Sequence, residues 1–152
     1  MSNDRAANDR HSGVHRDAED GAVRESAMTT NAMRPLDIIR EVTAAWDRSD
    51  LESLMTFIAD DCVYSASVGP EPGETFVGRD AVRAGFARVL AHDSDGTSEP
   101  GEMRAVGDWV VATWGIRKTG ADGRSFLVRG CDLFSIQDGL IVRKDSFRKT
   151  YS

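Results

Sequence analysis

The chain has 152 residues, 40% hydrophobic and 29% charged, the make-up of one ordinary globular domain large enough to fold without disulfides or metals. Its formal charge of −6 argues against a nucleic-acid partner, because phosphate binding needs a basic face. No apolar run approaches the roughly 20 residues that span a bilayer. Asp4, Arg5, Asp9 and Arg10 stand where a signal peptide needs an apolar stretch, so no membrane contact and a cytoplasmic location are expected.

Residues 1–32 contain no Leu, Ile, Phe, Trp or Tyr and are mostly Asp, Arg, Asn, Ala, Ser and Thr. Such a segment buries too little surface to offset its ordering entropy, which predicts a disordered tail, followed by one domain over 33–152. His11 and His15 are four apart but have no thiol or carboxylate partner, so they read as solvated tail residues and no metal site is expected.

From Arg34 the pattern turns helical. Pro35 suits a first turn, and Leu36, Ile38, Ile39, Val42, Ala45 and Trp46 follow at helical spacing up to Arg48-Ser49. Ser49 and Glu52 have capping-box spacing and predict a second helix with Leu51, Leu54, Met55 and Ile58 on one face. Cys62 to Val68 reads as a strand, and Gly69-Pro70-Glu71-Pro72-Gly73 as a loop. Gly78-Arg79-Asp80 opens a third helix carrying Val82, Phe86, Val89 and Leu90. Asp93 to Gly101 is a polar loop. Strands are predicted over Met103–Val106, Trp109–Arg117, Phe126–Ile136 and Leu140–Phe147, separated by Gly107-Asp108, Gly120-Ala121-Asp122-Gly123 and Asp138-Gly139. Helix, helix, strand, helix and then an antiparallel meander is an α+β layout, with the helices on one face of the sheet. Cys62 and Cys131 lie in apolar runs and read as small core residues.

Four stretches carry a family likeness, in order. Ala45-Trp46-Asp47-Arg48-Ser49-Asp50-Leu51-Glu52-Ser53-Leu54 resembles the first helix junction of the SnoaL-like branch of the NTF2-like, ketosteroid-isomerase-like superfamily. Ile58-Ala59-Asp60-Asp61-Cys62-Val63-Tyr64 is similar to its first strand, and Phe76-Val77-Gly78-Arg79-Asp80-Ala81-Val82 to its third-helix start. Arg129-Gly130-Cys131-Asp132-Leu133-Phe134 and Asp138-Gly139-Leu140-Ile141-Val142-Arg143-Lys144-Asp145 resemble its closing hairpin. The likeness covers residues 34–150 and speaks to fold far more than to substrate. It implies a cone: a strongly curved antiparallel sheet wrapped by three N-terminal helices around an apolar pocket. It also implies a hydrophobic small-molecule ligand, no organic cofactor, and a homodimer through the outer sheet face.

Three catalytic sets known in the superfamily map onto this sequence unequally. The ketosteroid isomerase set needs a tyrosine, an oxyanion-hole aspartic acid and an aspartate base. The resemblance puts Val42, Asp132 and Ala66 at those positions, so one of the three groups is present. The Asp-Arg-Asp set of limonene epoxide hydrolase falls on Thr113, Gly115 and Ser146 and is absent. The SnoaL-type polyketide cyclases use an aspartate acid/base, for which Asp132 is the candidate with Asp145 behind it; this third set fits best.

Asp132 also stands out on alternation alone. Phe126, Val128, Gly130, Asp132, Phe134 and Ile136 share one strand face, which sets a carboxyl among apolar groups. Desolvation there favours the neutral acid and suits proton transfer. The other reading is a structural aspartate paired with an arginine or a backbone amide. Gly130 leaves room for a ligand or a sheet bend. Trp46, Tyr64, Phe86, Trp109, Trp114 and Phe134 either line a pocket or fill the core. Lys144, on a face with Val142 and Ser146, points into the cavity mouth or into solvent. Arg129 falls on the opposite face, His92 complements the third helix dipole, and Asp145 reads as a surface charge near Arg143.

The expectation is a cofactor-independent isomerase or cyclase. Asp132 is catalytic, and Trp46, Tyr64, Phe86, Trp114, Phe134 and Lys144 contact substrate. The alternative is a binding or interaction domain of the same fold.

Overall fold

Pro35 opens helix α1 (Pro35–Asp47) at a position whose N–H has no partner in any helix, and Asp37 sits in the first turn near the positive end of the dipole. A computed structural model describes residues 32–149; the expected tail and the His11/His15 pair lie outside the described residues. The chain then turns through Ser49, whose φ is 54°, into the short helix α2 (Leu51–Met55). Asp50, not Ser49, is the N-cap. Its carboxylate accepts from the Ser53 backbone N–H at 3.1 Å and the Ser53 hydroxyl at 2.6 Å. Glu52 therefore closes no capping box and pairs instead with Arg83.

Strand β1 (Ile58–Ser65) begins earlier than the pattern suggests, so Ile58 leaves the helix and enters the sheet. Strand β2 (Thr75–Val77) pairs back on it antiparallel. Gly78, with φ 87°, then turns the chain into helix α3 (Arg79–His92). The stretch expected to be a polar loop contains strand β3 (Thr97–Glu99). It is followed by β4 (Met103–Val106), β5 (Trp109–Thr119), β6 (Ser125–Gln137) and β7 (Leu140–Arg148). At the last hairpin Asp138 and Gly139 take φ 51° and 78°, as a two-residue turn with both central residues left-handed requires.

The strands form one curved, unclosed sheet of seven in the order β2-β1-β7-β6-β5-β3, with β4 also on β5. The fold is α+β as expected. One pairing departs from the expected antiparallel sheet: β1 runs parallel to β7, so the sheet is mixed. The helices cover its inner face. Ile38 and Ile39 of α1, Leu54 of α2 and Val82 and Phe86 of α3 are buried with Ile58 of β1 and Ile141 of β7.

A register shift between Ser135 and Ile136 decides the faces of β7. Ile136 pairs with Ile141, but Ser135 pairs with Arg143, so β7 carries an extra residue at Val142. In a regular, unbulged strand through Val142, Ile141, Arg143 and Asp145 would share a face. With it, Ile141, Lys144 and Ser146 are all buried while Arg143 is exposed.

Candidate functional site

Past the buried end of the sheet, its inner face and helix α1 enclose a cavity of about 300 Å³. Val42 and Trp46 of α1 line it, with Tyr64 of β1, Met103 of β4 and Phe134 of β6. Into this apolar wall project Trp114 of β5, Asp132 of β6, and Lys144, Ser146 and Arg148 of β7. The register explains the grouping, because Asp132 stands opposite both Ala112 and Ser146, and Phe134 opposite Lys144.

Lys144 and Asp132 form an ion pair, Nζ to Oδ2 at 2.8 Å, with side chains 5% and 15% exposed. The ammonium also donates to the Ser146 hydroxyl at 2.5 Å. Three rings surround it, with centroids at 4.8 Å (Tyr64), 5.3 Å (Trp46) and 5.5 Å (Phe134). The second carboxylate oxygen of Asp132 accepts from the Trp114 indole N–H at 3.1 Å. A charge pair this deep offsets its desolvation only when its remaining hydrogen-bonding positions are met, and here both Asp132 oxygens are engaged. Burial raises the Tyr64 phenol above its ordinary range against the opposing pull of Lys144, so it stays protonated as a hydrogen-bonding group. Burial likewise pushes the Cys62 thiol up to about 11, which makes it an inert core residue.

These contacts settle several alternatives left open by the sequence. Asp132 lies on the inner face, but it is paired with a lysine instead of standing alone among apolar groups. Lys144 is buried at 4% exposure, which rules out a solvated lysine. Trp46, Tyr64, Trp114 and Phe134 line the cavity; Phe86 lies one layer behind. Its ring packs edge-on against Trp46 at 5.2 Å and Tyr64 at 4.9 Å, backing the wall without reaching the cavity. The room beside Gly130 is filled by Trp114, because a β-carbon there would lie 2.2 Å from the indole Cζ2. Gly130 thus lets the indole lie flat and reach Asp132.

Asp145 is on the outer face near Arg143 at 3.5 Å, so it is not a second acid in the cavity. Arg129 is exposed on that outer face, and Cys131 there is only half-buried rather than in the core. His92 is 54% exposed in the last turn of α3, where it faces the negative end of the helix dipole.

Sequence reasoning missed a second polar cluster at the same cavity. Arg148 donates to Asp93 at 2.8 Å and to Ser67 at 3.4 Å, and lies over the Trp114 ring at 5.2 Å. The alternation Lys144, Ser146, Arg148 was a usable signal. Asp93 offered none, being 55 residues away in sequence. Among the described residues no group of three or more His, Cys, Asp or Glu is arranged to hold a metal. No helix among them is long and apolar enough to cross a membrane.

Comparison with known proteins agrees with this architecture. The SnoaL-like domain profile matches residues 39–144. An NTF2-like protein of unknown function from Mesorhizobium loti is 27% identical, with TM-score 0.64 over 76% of this chain and 91% of that one. An NTF2-like protein from Burkholderia thailandensis is 25% identical, with TM-score 0.64 over 77% and 92%. TerC, crystallised with polyporic acid, shares the fold at 20% identity, with TM-score 0.62 over 76% and 91%. No curated protein matches the chain. With the profile spanning most of the domain and the sheet and helices in the same arrangement, the chain belongs to the SnoaL-like domain family, on the NTF2-like fold.

Proposed function

We propose that this protein binds a small, largely apolar carbonyl compound in the cavity and moves a proton on it without a cofactor. The observation that carries this reading is the Lys144–Asp132 pair, buried and directed into an apolar cavity of about 300 Å³, at the small end of ligand sites. The two groups supply complementary halves of a proton transfer. The Asp132 carboxylate takes a proton from the carbon next to the carbonyl, while the Lys144 ammonium donates a hydrogen bond to the oxygen on which negative charge builds. The same carboxyl then returns the proton at a second carbon, giving an isomerase; or the enolate carbon adds to a second carbonyl of the substrate, whose C=O π pair moves onto oxygen and takes the proton back from that carboxyl, giving a cyclase. Trp114 holds the carboxylate by Oδ1, the oxygen opposite the one that meets Lys144. Trp46, Tyr64 and Phe134 keep water from the ammonium and shape the ligand's apolar body.

Hydrogen–deuterium exchange at the α-carbon of a ketone panel in D2O tests the reading. Wild type is expected to accelerate exchange for at least one ketone, and Asp132→Asn to lose roughly a hundredfold or more of that rate. Lys144→Met is expected to weaken both binding and exchange. Exchange unaffected by Asp132→Asn would sink the catalytic role.

A second reading has a specific observation behind it. Val42 and Ala66, both buried, offer no group at the positions of the isomerase tyrosine and base, which favours a protein that holds a ligand without turning it over. The same experiment separates the two, since a binding module gives ketone affinity with no exchange. We further propose that a second copy docks on the outer sheet face. There Trp109, Val111 and Phe147 are 49%, 40% and 50% exposed, and Arg129, Arg143 and Asp145 flank them. Sedimentation of Val111→Glu tests it: a wild-type dimer that becomes a monomer is expected, and a monomeric wild type overturns it.

A further inference from the structure

The Arg148 end of the cavity differs in charge from the Lys144 end. At Lys144 one cation meets one carboxylate, and both are buried. At Arg148 two cations share one buried carboxylate: Arg148 lies 2.8 Å from Asp93 Oδ2 and Lys118 lies 3.2 Å from its Oδ1. The three side chains are 14%, 11% and 10% exposed for Arg148, Lys118 and Asp93. Asp95 also pairs with Lys118, at 2.8 Å, from a position 68% exposed. Of the three buried side chains two are cations and one is an acid, and Asp95 balances Lys118 from the solvent side.

The donors tell the same story. A guanidinium has five N–H groups. Arg148 uses Nη2 on Asp93 and Nε on Ser67, lies over the Trp114 ring, and lines the cavity, with donors of its fork to spare. If a ligand takes that fork, Asp93 keeps Lys118 as its counter-ion and is not stranded.

We propose that Arg148 is an anion subsite and that the ligand is an oxo-carboxylate: a carbonyl at Lys144–Asp132 and a carboxylate on Arg148, joined by a short apolar spacer. This rests on the carbonyl reading of the Lys144–Asp132 pair and narrows it to a substrate class. Lys144 and Arg148 are four residues apart on one face of β7, which sets their Cα atoms roughly 13 Å apart. Lys144 leans onto Ser146, toward Arg148, and so shortens the gap between the charged heads. Val89, Met103 and Ile116 line the same cavity and suit the spacer. Arginine binds carboxylates through paired N–H groups, so the subsite also fixes which way round the ligand enters.

Calorimetric titration of the full chain with aryl ketones bearing a terminal carboxylate on spacers of increasing length, beside their methyl esters and primary alcohols, tests this. The acid is expected to bind roughly tenfold or more tighter than its ester at one preferred spacer length. Arg148→Gln is expected to erase that preference, and Arg148→Lys to retain part of it. Esters that bind as tightly as acids in the wild type overturn the subsite while leaving the carbonyl reading intact. Tightest binding by the alcohols also overturns it, and makes Asp93 the group that reads the ligand. A wild type that takes none of the three overturns the carbonyl reading and this one together.

Discussion

Along helix α1, Ile38 and Ile39 are packed on every side, whereas Val42 and Trp46 one to two turns later face open space. Strand β6 changes in the same direction, from Ile136 in the core through Phe134 to Asp132 at the cavity. One set of helices and strands thus builds a filled end without charges and an open end holding two ion-paired clusters. The difference teaches a division of labour. Hydrophobic burial at the filled end is proportional to area and indifferent to direction, so it supplies stability. The open end gives up packed volume and desolvates charges, and what it gains is a set of directed polar groups.

Breaking the Lys144–Asp132 pair is the harshest test of that division. Lys144→Ala or Asp132→Ala leaves the other charge buried without its partner, with an expected loss of about 3–5 kcal/mol in urea unfolding. Replacing both, as Asp132→Leu with Lys144→Met, is expected to recover most of that loss while ligand binding stays absent. Single variants as stable as wild type would mean that the pair is solvated and that the two ends differ less than their contacts indicate.

Ile39→Ala probes the filled end. Its side chain is fully buried, so the expected cost is about 2–4 kcal/mol, with the ligand profile of the folded protein unchanged. A changed ligand profile would show that the two ends are coupled through α1. Gly130→Ala sharpens the comparison inside the cavity, because the added methyl collides with the Trp114 ring and with the Phe147 backbone carbonyl on β7. A loss of about 1–3 kcal/mol is expected, with altered tryptophan near-UV circular dichroism and weaker ligand binding. Unchanged spectra would mean the indole is not held where Asp132 needs it.

The smallest effect is alkaline. Burial holds the Cys62 thiol neutral in the folded state to about 11, against an ordinary value of 9.0. The unfolded chain ionises first as pH rises, so the stability from this group is whole below about pH 9 and drains away by about pH 11. Urea midpoints between those limits are expected to fall less steeply for Cys62→Ala than for wild type. Equal slopes would assign the alkaline loss to other groups.

Much of the fold was legible because it is written locally. Apolar spacing located α1 and α3, and Asp138-Gly139 located the last hairpin. Strand β3 was not legible. Thr97-Ser98-Glu99 has no apolar alternation, and its extended form comes from pairing with Gly115 to Arg117 on β5. The parallel partnership of β1 with β7 joins segments some eighty residues apart, which no local pattern records. Within the site, the inward face of Asp132 followed from strand alternation. Its pairing with Lys144 did not, because that depends on cross-strand register, and neither did the Arg148–Asp93 contact, which joins β7 to the end of α3. Ser49 misled for a simpler reason: Asp50 beside it is an equally good cap and has the geometry to reach Ser53.

The bulge at Val142 has a consequence for how much change this site absorbs. Lys144, Ser146 and Arg148 owe their inward direction to it, since a regular strand running from Ile141 through Val142 would turn all three outward. Deleting Val142 removes the bulge and sets Arg143 directly after Ile141, so plain alternation still sends Lys144, Ser146 and Arg148 inward and Asp145 and Phe147 outward. Amine acylation mapped by mass spectrometry is expected to find Lys144 shielded in the parent and in the deletion alike, and a reactive Lys144 in the deletion would mean that the bulge sets more than the alternation. A lineage could therefore shed this residue through a single three-base change and keep the whole basic wall, whereas a one-residue slip that ironed the bulge out would lose all of it at once.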